Sequence, residues 1–314
     1  MTEARVPYDE FSMFHENAAE FGLAYTEPPV VRRESVALGG GRQLSALVWG
    51  HEPPEFVFLH GGAQNAHTWD TVALALGRPL VAIDLPGHGH SDGGRNGSLD
   101  LADNAADVAI TIRALAPNAA AVVGMSLGGI TTLALSAVAP DLVRSIVLVD
   151  ITPGVTQEKA SVITAFVNGP ESFPSFDELL ARTVEFNPTR SVSSLRRGIL
   201  HNALQQEDGS WVWRHARFRA LENATPGERI DRFGDLWQTV SDLSVPLMLV
   251  RGLRPQSVVD DADEAELIRR QPSVRVEHLT EAGHSVQGDT PLELAALLND
   301  FCTELSQMRK NRTE

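Results

Sequence analysis

The stretch Ala119-Ala120-Ala121-Val122-Val123-Gly124-Met125-Ser126-Leu127-Gly128-Gly129 decides how the rest of the chain is read. An apolar run of strand length, 119–123, enters Gly-x-Ser-x-Gly and leaves as a helical pattern over 127–138. A serine at such a strand-to-helix turn is forced into a strained backbone that lifts its hydroxyl clear of the sheet. The glycines two residues to either side are required because strand and helix pass close together there. By composition the five-residue pattern arises by chance roughly once in ten chains of this length. Chance rarely supplies the flanking strand and helix as well, so Ser126 is the candidate nucleophile.

Working outward, the same rhythm recurs. Residues 56–59 and 79–83 are continuous apolar runs suited to strands buried on both faces. Helical patterns fall at 68–76 and 99–115, and a third buried strand follows at 144–149. Towards the N-terminus, β-like runs at 30–38 and 43–49 are separated by Gly39-Gly40-Gly41, a hairpin signal. Residues 1–29 carry no apolar leader pattern and read as an arm lying on the domain. The rhythm stops after Asp150 and resumes at 245–250, with a helix near 260–271, a strand at 274–279 and a last helix. That helix is marked by Thr290, Pro291 and Glu293, the pattern of an N-cap with a capping box, and 308–314 is a polar tail. The fold class expected is α/β: a mostly parallel sheet flanked by helices, covering 30–151 and 245–307, with a helical cap at 152–244 inserted before the penultimate strand.

Three further motifs sit where strands end. His60-Gly61-Gly62 closes the run at 56–59; a tetrahedral intermediate needs two preorganised N–H donors, and Gly62 together with Leu127 can supply them. Asp84-Leu85-Pro86-Gly87-His88-Gly89-His90-Ser91-Asp92 follows the next strand. Its two histidines and two aspartates suggest a metal, but the Pro and Gly spacing reads as a tight loop, and no metal is expected. Glu281-Ala282-Gly283-His284-Ser285 lies between the last strand and the last helix. Histidine is the side chain suited to take a serine proton near neutral pH, which makes His284 the candidate base.

Taken together, His60-Gly61-Gly62, Asp84-Leu85-Pro86-Gly87-His88-Gly89, Gly124-Met125-Ser126-Leu127-Gly128-Gly129 and Ala282-Gly283-His284 resemble a capped member of the α/β-hydrolase superfamily. The resemblance spans about 30–305 and implies a serine hydrolase with a Ser-His-acid triad. These motifs are specific for the fold and poorly specific for substrate.

The acid departs from the pattern. The resemblance implies an Asp or Glu just beyond the penultimate strand, where this chain has Arg251-Gly252-Leu253-Arg254-Pro255-Gln256-Ser257-Val258-Val259. Asp150, at the end of the strand before the insertion, is the preferred replacement, as in some superfamily members. Asp260 reads as a helix cap and is the other candidate; a fold with no true acid is the third.

The segment 152–244 holds nine of the nineteen aromatics: Phe166, Phe173, Phe176, Phe186, Trp211, Trp213, Phe218, Phe233 and Trp237. Most are accounted for by the segment's own core, and the rest suit an apolar pocket over Ser126. Trp211-Val212-Trp213-Arg214 alternates like a strand; Trp213 and Arg214 are candidates for substrate binding, Arg214 through a carboxylate.

The 314 residues carry a net charge of −15 and a pI near 5.1. A surface this acidic repels phosphate backbones, so nucleic acid is not an expected partner. One cysteine, Cys302, excludes an internal disulfide, and no apolar run is long enough to span a membrane. The expectation is a cytoplasmic enzyme without a cofactor, cleaving an ester or related carbonyl bond of a small to medium, largely apolar molecule. A cofactor-independent oxygenase of the same fold, or a degenerate ligand-binding protein, are the alternatives that the unusual acid position raises.

Overall fold

The computed structural model describes residues 5–95, 100–215 and 232–313. A short helix, α1 (Phe14–Glu20), precedes the hairpin β1 (Val31–Gly39) and β2 (Arg42–Trp49). Then come β3 (Phe56–Leu59), α2 (Asp70–Leu76), β4 (Leu80–Ile83), α3 (Leu101–Leu115), β5 (Ala121–Met125), α4 (Leu127–Val138) and β6 (Ile146–Val149). The inserted segment carries α5 (Ser161–Val167), β7 (Ser172–Phe173), α6 (Phe176–Phe186), α7 (Val192–Asn202), β8 (Ala203–Gln205), β9 (Trp211–Trp213) and α8 (Leu236–Asp242). The chain ends with β10 (Leu247–Gly252), α9 (Asp261–Arg270), β11 (Arg275–Leu279), α10 (Val286–Asp289) and α11 (Pro291–Thr313).

Eight strands form one sheet in the order β1-β2-β4-β3-β5-β6-β10-β11. The first hairpin is antiparallel, β2 is antiparallel to β4, and the remaining pairs are parallel. Strand alternation sends Val57, Leu59, Val122, Ile146 and Leu148 to one face, where α3 and α4 cover them. Phe56, Phe58, Val123, Val147 and Val149 go to the other, where α2 and α11 bury Leu294, Leu298, Phe301 and Leu305. Period-two side chains on a strand buried on both faces read as continuous apolar runs, as 56–59 and 121–125 do. Cys302 is buried in the same layer. At the start of the last helix the Thr290 hydroxyl donates back to the Val286 carbonyl instead of engaging the expected capping box.

The inserted segment corrects the expectation of a purely helical insertion: β7, β9 and β8 form a small antiparallel sheet. Strands of two and three residues are too short to display a period in sequence; only the alternation at 211–213 gave a trace. Phe173, Leu179, Ile199, Leu200, Ala203 and Trp211 form a separate apolar cluster here, joined by Met13 of the N-terminal arm. The arm also anchors on the sheet domain through Phe14, 4.9 Å from Trp49 between ring centres.

Candidate active site

Parallel register brings the chemistry to one edge of the sheet. Leu59 pairs with Gly124, Met125 with Val149, and Val149 with Val250. One step beyond the carboxyl ends of adjacent strands therefore lie His60, Ser126 and Asp150, at the edge where open α/β sheets place their sites.

Ser126 has φ 51° and ψ −119° at the N-cap of α4, the strained conformation the turn requires. The glycines around it are needed for space. A Cβ on Gly124 would lie 2.4 Å from the Gly128 carbonyl oxygen, and one on Gly128 would lie 2.2 Å from that of Leu59. As the first residue of α4, Leu127 has a backbone N–H with no intrahelical acceptor.

The loop after β3 is held so that one N–H stays available. Gly61 N–H donates to Gln64 Oε1, Ala63 N–H to His88 Nε2, and Gln64 N–H to the Gly61 carbonyl. Gly62 N–H has no acceptor among the described residues. The inserted segment braces this loop, with Asn65 donating to the His201 carbonyl and Asn202 to that of Ala63.

His60 and His88 are structural. His60 Nδ1–H donates to the Gly61 carbonyl while Nε2 accepts the Leu85 N–H at 2.9 Å. Burial, with His88 adding, pushes His60 down to about 3, so it is neutral and fully committed. The reading of a metal loop at 84–92 is not needed: Asp84 accepts from the Ala66 and His90 N–H groups and from Arg33.

His284 is 7% exposed, and its Nδ1 lies 2.9 Å from Asp150 Oδ2. Asp150 is fully buried with φ 46°, a left-handed conformation that aspartate tolerates better than most residues. Its Oδ1 accepts from the Gly252 N–H at 3.0 Å and the Ser257 hydroxyl at 2.6 Å, and its Oδ2 from the Val258 N–H at 3.1 Å. An acceptor so surrounded fixes the Nδ1–H tautomer of His284 and leaves Nε2 as the basic nitrogen. The loop expected to carry the acid carries its donors instead. Asp260 lies elsewhere, capping α9 in a capping box with Asp263 and pairing with Lys159 at 2.8 Å.

Ser126 and His284 line one cavity of about 110 Å³, together with Gly62, Met125, Val162, Ile163, Phe166, Val167 and Phe186. Their side chains make no hydrogen bond with each other here, a looseness common before substrate binds. A second cavity of about 140 Å³ shares the walls Ala63, Gln64, Phe166 and Asn187 with the first. Trp213 lines this second cavity, whereas Arg214 lines neither; its guanidinium sits 5.8 Å from the Tyr8 ring centre. The residue that sequence reasoning missed is Arg190, which lines the second cavity. Nothing in Asn187-Pro188-Thr189-Arg190-Ser191 marks it. Of the aromatics, Phe166 and Phe186 line the cavity that holds Ser126, Phe173, Phe176 and Trp211 pack within the inserted segment, and Phe218 lies outside the described residues.

Among the described residues, the buried groups His67, Asp70 and His201 lie close enough to share a metal. Their chemistry fits a charge network better. Burial pulls His67 down, but Asp70 and Glu10 outweigh it and hold it up at about 9. Arg33 approaches within 3.5 Å of His67 Nε2, and Tyr8 occupies His201 Nδ1. A protonated imidazole beside a guanidinium is a poor cation ligand.

No helix among the described residues is long and apolar enough to cross a membrane. The family model for the α/β hydrolase fold matches residues 54–291. The chain is 43% identical over 297 residues to esterase Rv0045c of Mycobacterium tuberculosis, covering 92% of this chain and 94% of that protein. It is 30% identical over 250 residues to a 2-(acetamidomethylene)succinate hydrolase of Mesorhizobium japonicum, covering 78% and 87%. A solved structure of the mycobacterial esterase superposes with a TM-score of 0.80, covering 94% of this chain and 99% of that one. With a parallel sheet carrying a serine elbow and a histidine loop on its carboxyl edge, and with these likenesses, the chain belongs to the α/β hydrolase fold family.

Proposed function

We propose that this protein is a serine esterase that cleaves a small to medium ester through Ser126, His284 and Asp150. Ser126 attacks the ester carbonyl as His284 Nε2 takes its proton, and Asp150 stabilises the imidazolium through Nδ1–H. Gly62 and Leu127 N–H groups receive the oxyanion, aided by the positive end of α4. His284 then returns its proton to the leaving alcohol and activates the water that releases the acyl group. Residues 152–244 act as a cap, with 30–151 and 245–307 as the core and 1–29 as an arm. The cap supplies Val162, Ile163, Phe166 and Phe186 as an apolar wall for the acyl chain. No cofactor enters this scheme, and the enzyme is assigned to the cytoplasm.

The observation that carries the reading is the shared cavity of Ser126 and His284 with Asp150 2.9 Å behind the imidazole. The occupied acid position removes the motive for the degenerate-binder reading, and the mycobacterial relative is an esterase. The test is turnover of p-nitrophenyl acetate, butyrate and hexanoate beside Ser126→Ala and His284→Ala, with fluorophosphonate labelling in parallel. Turnover and labelling that both vanish in Ser126→Ala support the assignment. Wild type no faster than Ser126→Ala, and unlabelled, would remove it.

A further inference from the structure

Two arginines among the described residues, Arg190 and Arg214, bury Nε without a hydrogen-bond partner; Arg214 sits over the Tyr8 ring, and Arg190 is the one in a cavity wall. It lies between α6 and α7 in the wall of the second cavity, and its Nε is wholly buried with no hydrogen-bond partner. Among the described residues its side chain makes one hydrogen bond, from Nη2 to the Ser194 hydroxyl. The carboxylates that face it are engaged elsewhere. Glu20 is taken by Arg197 and Ser191, and Asp289 by the Gly283 N–H and the Thr189 hydroxyl. No carboxylate among the described residues lies within ion-pair distance of Arg190. Burial draws Arg190 below its ordinary value despite Asp289 and Glu20, with Arg197 adding to the fall. Leaving a charged donor buried and unmatched is costly, so a site that keeps one is built for a group that arrives with the ligand.

The surroundings say where that group comes from. The guanidinium lies against Gly288 of α10, four residues past His284; a Cβ there would stand 2.9 Å from Arg190 Cζ. Asn187, three residues before Arg190, lines both cavities. A chain entering from Ser126 past Phe166 and Asn187 thus reaches Arg190. The other polar lining groups, Asn17, Asn65, Gln287 and Ser194, surround the cation with neutral groups. Planar donors match a carboxylate in a way that a rounder anion does not reproduce.

We infer that the second cavity is a carboxylate subsite, and that the preferred substrates are esters bearing a free carboxylate at the end remote from the scissile bond. This rests on the esterase reading and narrows its substrate class; Arg190 is the specificity residue in place of Arg214.

The test compares p-nitrophenyl half-esters of succinate, glutarate and adipate with the same compounds capped as methyl esters. Wild type should favour the best-fitting half-ester by about tenfold or more in kcat/KM, chiefly through KM, as expected for a charge-assisted hydrogen bond. The ratio should fall to near one in Arg190→Gln and lie between in Arg190→Lys, with thermal unfolding used to confirm that each variant is folded. A wild-type ratio near or below one at every length, or a ratio unchanged in Arg190→Gln, overturns the proposal. Calorimetric titration of Ser126→Ala with monomethyl glutarate and monomethyl adipate separates it from the esterase reading. Binding that disappears on adding Arg190→Gln supports the subsite even if no ester is turned over. Absence of binding in Ser126→Ala, or binding equal in both, counts against the subsite whatever the ester kinetics show.

Discussion

Replacing Asp150 by Asn changes one atom and sets the carboxylate's four hydrogen bonds against each other. The oxygens now accept from Gly252 N–H, Ser257 hydroxyl, Val258 N–H and His284 Nδ1–H. An amide has one accepting oxygen. With its NH₂ at the Oδ2 position it faces both the Val258 N–H and His284, which must then shift its proton to Nε2 and cease to be a base. With the NH₂ at the Oδ1 position the Ser257 hydroxyl can turn to accept, and the Gly252 N–H alone is left facing a donor. The second arrangement is cheaper and costs about 1–3 kcal/mol for one unsatisfied buried donor. It still withdraws the negative charge from the imidazolium. We therefore expect Asp150→Asn to lower kcat by about 10²-fold to 10⁴-fold, the upper figure being that of a serine-protease triad whose histidine takes the wrong tautomer. Unfolding stability should fall by about 1–3 kcal/mol. The assay is p-nitrophenyl butyrate turnover with urea unfolding on the same preparation. Ser257→Ala, which removes one donor and keeps the charge, should lose less than about tenfold. A folded Asp150→Asn protein within tenfold of wild type in kcat refutes the reasoning.

Other perturbations have opposite signatures. Asp260→Ala removes the α9 cap and the Lys159 pair, so unfolding should cost about 1 kcal/mol less than in wild type while ester turnover stays within a factor of two; a collapse in kcat would reinstate Asp260 as the acid. Gly128→Ala drives a Cβ to 2.2 Å from the Leu59 carbonyl oxygen, and should lower stability by about 1–3 kcal/mol; a thermal midpoint equal to wild type would contradict the close approach. The His67 network gives a pH signature. A pKa held up at about 9 against an ordinary 6.5 stabilises fully below pH 6.5 and is lost as pH rises through 9. Glu10, held down at about 2 by His67 and Arg33 against the pull of burial, stabilises above its ordinary 4.5 and is lost as pH falls towards 2. Urea unfolding at pH 6.5 and 9.5 should show wild type losing on the order of 2–3 kcal/mol more than His67→Gln, and parallel losses would dismiss the network. Phe166→Ala opens the wall common to both cavities and should move the preferred acyl chain to longer esters; an unchanged chain-length profile would argue that the wall lies elsewhere.

Local pattern carried much of this protein. The apolar runs at 56–59 and 121–125, the serine turn, the glycines and the histidine loop are all legible because each depends on neighbours a few residues away. A strand buried on two faces must be apolar throughout, and a strand crossing a helix start must have glycine where Gly124 meets Gly128. The helix at 127–138 begins and ends where its pattern predicts. Contacts between distant segments were beyond that reading. Asp150 and His284 are 134 residues apart, and no spacing rule says which of two aspartates the imidazole meets; parallel register and a left-handed turn at Asp150 bring the first to it. The sequence already offers Gly62 as a donor, but that its N–H is left without an acceptor among the described residues follows only from seeing that His88 takes Ala63 and Gln64 takes Gly61. The small sheet of the inserted segment escaped because strands of two and three residues are too short to repeat a pattern. Trp213, the last residue of β9, and Arg214, which follows it, are adjacent in sequence, yet one faces a cavity and the other a tyrosine, since successive residues of extended chain point to opposite sides. The chain's own residues thus determined the sheet, the serine turn and the histidine loop by local chemistry. Which carboxylate reaches His284, and which arginine lines a cavity without a carboxylate beside it, only the tertiary structure decided, because both depend on what folding brings near them.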